Sequence, residues 1–158
     1  MFKFFQKKPS HSEYQKIFLE ESSKIFDNLF IENGFVKLKV FTELSQSKII
    51  YQNQDKFIEI SSINERDPRG ESYFEIYIGE KYNLEINEFE GYFISVSRYS
   101  SILNVNKKLS YYAFPFGKKQ CLKSLKKAKK DFIKYFEFYL TNDDNLFEKV
   151  LKLKDIRI

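Results

Sequence analysis

Apolar residues near the start of the chain recur at the spacing of an α-helix. The positions that follow this period are Tyr14, Ile17, Phe18, Ile25, Leu29 and Phe30. Ser10 or Ser12 can cap such a helix, and Asn33-Gly34 is a natural stop because glycine readily adopts the left-handed conformation that ends helices. The pattern therefore predicts a helix that reaches about Glu32.

Beyond this helix the apolar residues change to the period of two that is typical of β-strands. Val36, Leu38 and Val40 alternate with lysines, which indicates a strand with one buried face. Further strands are predicted at about 48–52, 57–63, 73–78 and 92–98. Short turns join the first strands, so we expect an antiparallel sheet.

The last third of the chain is predicted to be helical. Its apolar stripe comprises Leu122, Leu125, Phe132, Phe136 and Leu140. Thr141 or Asn142 can cap a shorter second helix, which carries Leu146, Phe147, Val150 and Leu151. Residues 81–116 show no clear period: "LEINEFE" fits a strand or a helical turn, and the stretch from 101 to 117 suggests an irregular crossing.

These elements predict a single α+β domain over residues 1–158. We expect an antiparallel sheet of about five strands, with the N-terminal helix and the C-terminal helices packed on one face. A chain of 158 residues is long enough to bury a core without disulfides.

One hairpin of this sheet combines tyrosines with carboxylates. The segment Asp67-Pro68-Arg69-Gly70 suits a type I turn, and the strand after it alternates apolar residues with Tyr73, Glu75 and Tyr77. With Glu59 and Ser61 of the preceding strand, these three residues would share one sheet face. We expect this face to be open to solvent and available to a partner. Two alternatives remain: an ordinary solvated face without a partner, and a face covered by residues 81–116.

The overall composition adds little to this outline, whereas the distribution of charge along the chain is informative. The single cysteine fits a reducing compartment, and neither a signal peptide nor a membrane span is visible, so we expect a cytoplasmic protein. Residues 54–90 carry 10 acidic and 4 basic groups, whereas residues 91–134 carry 1 acidic and 11 basic groups. The net charge of +5 therefore hides one acidic and one basic block.

Catalytic motifs are not apparent in the sequence. His11, the only histidine, lies in the terminal arm, and Cys121 is expected to be a buried small hydrophobe. One histidine and one cysteine cannot form a usual zinc site, and no phosphate-binding glycine loop is present. The acidic residues of the 54–90 block could hold Mg²⁺, but Arg66 and Arg69 would compete with the cation. We expect no catalytic, cofactor-binding or metal-binding residues.

The basic helix between Lys118 and Lys134 offers a different candidate surface. Its lysines could follow a phosphate backbone or lie on an anionic membrane, or they could form only the solvated face of a helix. Aromatic residues do not interleave with them, as base stacking would require. Nucleic-acid or membrane-surface binding through this helix is therefore the alternative function.

Several short motifs resemble those of one group of proteins. These are the start "MFKFFQKK", the sheet entry Asn33-Gly34-Phe35, the strand pair "IIYQNQDKFIEI", and an acidic-arginine turn before "FEIYIG". The layout resembles small bacterial immunity proteins encoded beside polymorphic toxins, including those of contact-dependent growth inhibition systems. The resemblance implies a non-enzymatic binder, without a cofactor or small-molecule substrate, that blocks a cognate toxin domain.

The resemblance carries over no individual contact residues, because these surfaces diverge with each toxin. Many immunity proteins against nucleases are acidic overall, and this chain is not, which leaves the class of toxin open. Tyrosine is enriched at interface centres, and an acidic zone attracts a basic partner, so the hairpin is the predicted contact surface. The expected partner-binding residues are Glu59, Glu65, Asp67, Arg69, Glu71, Tyr73, Glu75 and Tyr77.

Overall fold

A computed structural model describes residues 11–43, 46–63, 72–103, 112–114 and 118–141, with residues 148 and 152. In chain order its elements are α1 (His11–Glu32), β1 (Val36–Thr42), β2 (Gln46–Asn53), β3 (Lys56–Ile63), β4 (Tyr73–Glu80), β5 (Tyr82–Asn83), β6 (Glu88–Phe89), β7 (Phe93–Ser95), α2 (Val96–Leu103), β8 (Tyr112–Ala113) and α3 (Lys118–Leu140). The α+β class predicted from the sequence is confirmed. The predicted 67–70 turn and the apolar residues of the short second C-terminal helix lie outside the described residues.

Helix α1 ends at the predicted Asn33-Gly34 stop. Gly34 has a φ of 83°, and its N–H donates to the carbonyl of Ile31 at 2.9 Å. The N–H of Phe35 reaches back to the carbonyl of Phe30, also at 2.9 Å, and the two rings lie 6.3 Å apart. This pair of hydrogen bonds with its apolar contact is a Schellman motif, which turns the chain directly into β1.

The main sheet is antiparallel and has the strand order β1-β2-β3-β4-β7. Ile49 of β2 lies opposite Ile60 of β3, which lies opposite Ile76 of β4. The short strand β8 pairs with the other end of β4, so the sheet has six strands where the sequence predicts about five. Because directly paired residues share a face, these isoleucines form one apolar layer.

Helices α1 and α3 cover this layer and form the core with it. The fully buried aromatic residues contributed by the two helices are Phe18, Phe26, Phe30, Phe132, Phe136 and Tyr139. The Tyr139 hydroxyl donates to the carbonyl of Gly79 at 2.7 Å and accepts from the N–H of Phe57 at 3.0 Å. The prediction that terminal helices pack on one face of the sheet is therefore confirmed.

The predicted strand at 92–98 is shorter than expected, because helix α2 begins inside it. The Oγ of Ser95 accepts a hydrogen bond from the N–H of Arg98 at 3.2 Å, as a helix N-cap does. Behind this cap, Val96, Tyr99 and Ile102 are buried, and the Tyr99 ring stacks on Phe136 of α3 at 5.2 Å. The chain therefore leaves the sheet at Ser95 and packs against α3.

Strands β5 and β6 form a small hairpin, here called the β5–β6 ribbon. Tyr82 lies opposite Phe89, and Asn83 lies opposite Glu88. The Oδ1 of Asn83 accepts from the N–H of Glu85 at 3.0 Å, which stabilises the turn between the two strands. Asn87 closes the turn with a φ of 55°, a conformation that asparagine tolerates better than most residues.

Candidate functional site

The β5–β6 ribbon lies on the sheet face opposite the helices. The Tyr82 ring stacks on Phe57 at 5.7 Å between centroids, and the Phe89 ring stacks on Phe93 at 5.2 Å. Contact with the sheet is so close that a Cβ added to Gly79 would lie 2.6 Å from the Cδ1 of Phe89. Glycine at position 79 therefore allows the ribbon to approach the backbone of β4.

This arrangement contradicts the expectation of an open tyrosine-carboxylate face. Glu59 is 4% exposed and Glu75 is fully buried, and Ser61 between them is also buried. Tyr73 and Tyr77 are partly buried. The prediction is wrong because the ribbon binds Glu59 and the first turn of α2 binds Glu75. Both elements belong to the 81–116 segment that the alternative interpretation named as a cover.

Four of the predicted contact residues lie outside the part of the chain that the structure describes: Glu65, Asp67, Arg69 and Glu71. Their partner-binding role stays a prediction, as does that of Tyr73 and Tyr77.

Glu59 is held in a buried polar network beneath the ribbon. Its Oε1 lies 3.5 Å from the Nζ of Lys48, and its Oε2 accepts from the Tyr82 hydroxyl at 2.6 Å. Burial raises the pKa of the Glu59 carboxyl, whereas Lys48, Tyr82 and Ser61 act in the opposite direction. The network therefore replaces the water that an exposed carboxylate would bind.

Two lysines attach the ribbon turn to the sheet. The Nζ of Lys48 donates to the carbonyl of Asn87 at 2.6 Å, and the Nζ of Lys39 donates to the carbonyl of Leu84 at 3.2 Å. Lys39 belongs to the edge strand β1 and Lys48 to its neighbour β2, so the ribbon turn is attached to two adjacent strands of the described sheet. Charged donors on neutral carbonyls make stronger hydrogen bonds than neutral donors do.

Glu75 connects β4 to the start of α2. Its carboxylate accepts hydrogen bonds from the hydroxyl of Ser97 and from the Ser97 N–H, the latter at 3.4 Å. Burial raises the pKa of Glu75 to about 7, although hydrogen bonds from Ser97, Ser95 and the backbone of Tyr112 oppose this shift. The positive end of the α2 helix dipole also stabilises a carboxylate at this position.

The space beneath the ribbon is lined by groups that already interact with one another. A cavity of about 210 Å³ lies under the ribbon, lined by Lys48, Glu59, Tyr77 and Phe89 among others. Of its three charged lining residues, Lys48 and Glu59 already bind each other, and Glu88 is exposed. Cys121 is buried as predicted, and burial and Glu21 raise its thiol pKa to about 12, so the reactive thiolate is disfavoured.

The segment 80–90, which contains the ribbon, carries several exposed charges. Its exposed acidic residues are Glu80 at the end of β4, then Glu85, Glu88 and Glu90, and Lys81 is the one exposed basic residue in the segment. At the tip, Leu84 is 40% exposed and Ile86 is 60% exposed. We call the four glutamates with Leu84 and Ile86 the acidic ribbon surface.

Other exposed features adjoin the acidic ribbon surface. An open cleft of about 680 Å³ lies at the base of the ribbon, where Asp55, Glu80 and Glu90 face Lys56 and Lys81. Along strand β1, the side chains of Val36, Leu38 and Val40 are each more than a third exposed. Lys39, in the middle of that strand, connects it to the ribbon tip.

The sequence contains a signal for the covered face that the alternation rule misses. Ile49 and Ile50 are adjacent in β2, and Phe57 and Ile58 are adjacent in β3, and all four are buried. Adjacent apolar residues in a strand point to opposite faces, so such pairs indicate a sheet buried on both sides. The aromatic residues Tyr82 and Phe89, placed on either side of an asparagine-rich turn, then identify the covering hairpin.

Comparison with known proteins finds no match: no protein-family model, curated protein or solved structure corresponds to this chain. Within the described residues, no helix has an apolar stretch of the length needed to cross a bilayer. The same residues place no group of three or more histidine, cysteine or acidic side chains where they could hold a metal ion. The function is therefore inferred from the geometry of this chain.

Proposed function

We propose that the chain is a non-enzymatic protein-binding module, an immunity protein that binds and neutralises a cognate bacterial toxin domain. The observation that carries this proposal is the acidic ribbon surface, which combines four exposed glutamates with two exposed aliphatic side chains. An apolar patch with a polar rim is typical of a protein interaction site. The proposed setting is the bacterial cytoplasm, where the toxin domain would act.

The proposed contact surface differs from the hairpin face that the sequence favours. Glu59 and Glu75 are buried and bonded within the protein, so they are not placed to contact a partner directly. The exposed glutamates of the ribbon belong to the same acidic block of the sequence. Glu88 lines the cavity under the ribbon together with Glu59, and we propose that the exposed glutamates take over the electrostatic role.

The ribbon supports binding because it is fixed before a partner arrives. Lys39 and Lys48 hold its turn, and Tyr82 and Phe89 hold its two strands against the sheet. A surface that is already ordered loses little conformational entropy on binding. The proposed mechanism is steering of a basic toxin surface by the glutamates, followed by burial of Leu84 and Ile86.

The test is rescue of growth in cells that express the C-terminal domain of the protein encoded immediately upstream. We expect co-expression of this chain to restore growth, and the double variant Glu85→Lys/Glu88→Lys to lose most of that protection. The matched control is Glu32→Lys/Glu137→Lys, which makes the same charge change at exposed positions on the helices. Equal protection by both variants would exclude the acidic ribbon surface as the binding site, and lack of toxicity or of rescue would refute the immunity function.

A further inference from the structure

Helix α3 presents a row of lysines on the side that faces away from the core. We call the seven exposed lysines the lysine row: Lys118, Lys119, Lys123, Lys126, Lys127, Lys130 and Lys134. On a helix that rises about 1.5 Å per residue, the distance from Lys119 to Lys134 is about 22 Å. The row is therefore long enough to span several phosphates of a nucleic acid strand.

Acidic residues that would neutralise this row are missing from it. Between its ends, the one carboxylate is Asp131, which is partly buried and accepts a hydrogen bond from the Tyr112 hydroxyl at 2.9 Å. Four pairs of lysines in the row stand four residues apart: 119 and 123, 123 and 127, 126 and 130, and 130 and 134. Like charges at this spacing destabilise a helix, whereas a solvated helix face usually alternates the two signs.

Two lysines of the row lie at the end of the helix where its dipole disfavours positive charge. Lys118 and Lys119 lie in the first turn, which contains no acidic residue. The N-terminal end of a helix carries a partial positive charge, so an anion bound there would be attracted both by the lysines and by the backbone. Lys118 has a distant counter-ion, since its Nζ lies 4.0 Å from Glu21.

The row is held rigidly by the opposite side of the helix. Cys121, Leu125, Ala128 and Phe132 are fully buried, and the Nζ of Lys129 donates to the carbonyl of Ile25 in α1 at 2.9 Å. The departure from helical geometry in α3 occurs at Phe136, with φ −125° and ψ 17°, beyond the last lysine of the row. The lysine row therefore lies on a straight and anchored segment.

We propose that the lysine row binds the phosphate backbone of a nucleic acid without reading its base sequence. Lysine is a mobile point charge suited to phosphate, and it does not select bases when it contacts only the backbone. Aromatic side chains that could stack on bases do not alternate with the row. A membrane surface fits less well, because the apolar stripe of α3 is buried and cannot enter lipid.

This inference does not rest on the proposed function. Helix α3 packs on the sheet face that carries Ile49 and Ile60, whereas the acidic ribbon surface lies above the opposite face, over Glu59. A nucleic acid on one side and a protein on the other would not compete for the same residues. Each binding activity can therefore be removed separately.

The primary experiment measures binding to a labelled DNA duplex by fluorescence anisotropy at increasing salt concentration. Each phosphate neutralised by a lysine contributes about −0.9 to the slope of log K against log salt. If about five lysines contact phosphates, the expected slope is about −4.5, which weakens binding by several hundredfold between about 50 and 200 mM salt. No binding at the lowest salt concentration would overturn the proposal.

Two variants of equal charge separate the row from the overall basic charge. The row variant is Lys123→Gln/Lys127→Gln/Lys130→Gln, and the control is Lys16→Gln/Lys81→Gln/Lys152→Gln, which changes exposed lysines elsewhere. We expect the row variant to reduce the magnitude of the slope by about 2.7 and the control to leave it unchanged. An equal effect of both variants would show that only net charge matters, and would overturn the proposal.

Two further measurements distinguish the partner and the surface. Phosphatidylserine-rich vesicles should not retain the protein at physiological salt. If vesicles retained it through the lysine row while the duplex did not bind, the ligand of the row would be a membrane surface and the proposal would be wrong. The Glu85→Lys/Glu88→Lys variant should bind the duplex at least as well as the original chain. Loss of duplex binding in that variant would contradict a site confined to α3, whatever the outcome of the growth test.

Discussion

Glu59 and Glu75 occupy positions in β3 and β4 where strand alternation predicts contact with water, yet both are buried. Each is compensated by partners that are distant in sequence: Tyr82 is 23 residues from Glu59, and Ser97 is 22 residues from Glu75. The alternation rule identifies the correct sheet face but does not reveal what covers it. At the scale of single residues, the sequence therefore predicts which sheet face a side chain lies on better than it predicts what surrounds that side chain.

The Lys48–Glu59–Tyr82 network should make a large contribution to stability. Glu59→Ala leaves the buried ammonium of Lys48 without its carboxylate, so we expect the free energy of unfolding to fall by about 3–5 kcal/mol. Tyr82→Phe keeps the ring on Phe57 but loses a hydrogen bond to a charged group, so the expected loss is about 1.5–3 kcal/mol. Guanidinium unfolding monitored by circular dichroism measures both changes.

A matched control for these variants is Glu85→Ala, which removes an exposed carboxylate from the ribbon turn. Its unfolding free energy should stay within about 0.5 kcal/mol of the original value. If Glu59→Ala lowered the unfolding free energy as little as Glu85→Ala, Glu59 would have to be solvated. The conclusion that the ribbon covers this sheet face would then be wrong.

Glu75 should make stability depend on pH. Its pKa rises from an ordinary value of 4.5 to about 7 in the folded protein, so the folded state holds the proton more tightly than the unfolded state. The free energy of unfolding should therefore fall as pH rises through this interval, by about 3 kcal/mol at most from this group. The full contribution is present below pH 4.5 and is lost above pH 7.

The variant Glu75→Gln isolates this effect because Gln does not titrate and Glu59 is retained. Urea unfolding at several values between about pH 5 and pH 8 should give a smaller decrease for the variant than for the original chain. Identical pH dependence in the two proteins would show that Glu75 ionises normally, and hence that it is not sealed between β4 and α2.

At the scale of elements, the long segments are predictable and the short ones are not. Helix α1 and strands β1 to β4 are each at least seven residues long, and the structure places them close to their predicted positions. The predicted buried face of β1 is wrong, because its apolar residues Val36, Leu38 and Val40 are exposed. The β5–β6 ribbon has two residues in each strand, too few for any period to be detected. Ser95 is a residue type favoured at helix N-caps and so indicates the start of α2, but the first residues of α2 also fit the pattern of the preceding strand.

Docking of the ribbon depends on the missing side chain at Gly79. In Gly79→Ala the new methyl group would meet the Phe89 ring at 2.6 Å and the Cβ of Phe93 at 2.9 Å. We expect this overpacking to lower the unfolding free energy by about 1–3 kcal/mol. The double variant Gly79→Ala/Phe89→Ala should lose less than the sum of the two single variants, because the clash with the ring disappears.

If the losses of unfolding free energy in the two single variants simply added up in the double variant, Phe89 and Gly79 would not be in contact. The measurement is again chemical unfolding of the single and double variants under one set of conditions.

At the scale of the whole molecule, the separation of charge along the sequence becomes a separation between two sides. The acidic block includes the ribbon on one side of the sheet, and the basic block includes the lysine row of α3 on the other. Segment charges can be read from the sequence, whereas their positions depend on which face each segment covers. This arrangement supports two proposed activities, protein binding at the ribbon and phosphate binding at α3.

The most direct test of the proposed interaction is hydrogen–deuterium exchange of this chain with and without the cognate toxin domain. We predict slower exchange in residues 80–92 on binding, with no change along the lysine row of α3. Protection confined to α3, with the ribbon unaffected, would contradict the assignment of the acidic ribbon surface as the binding site.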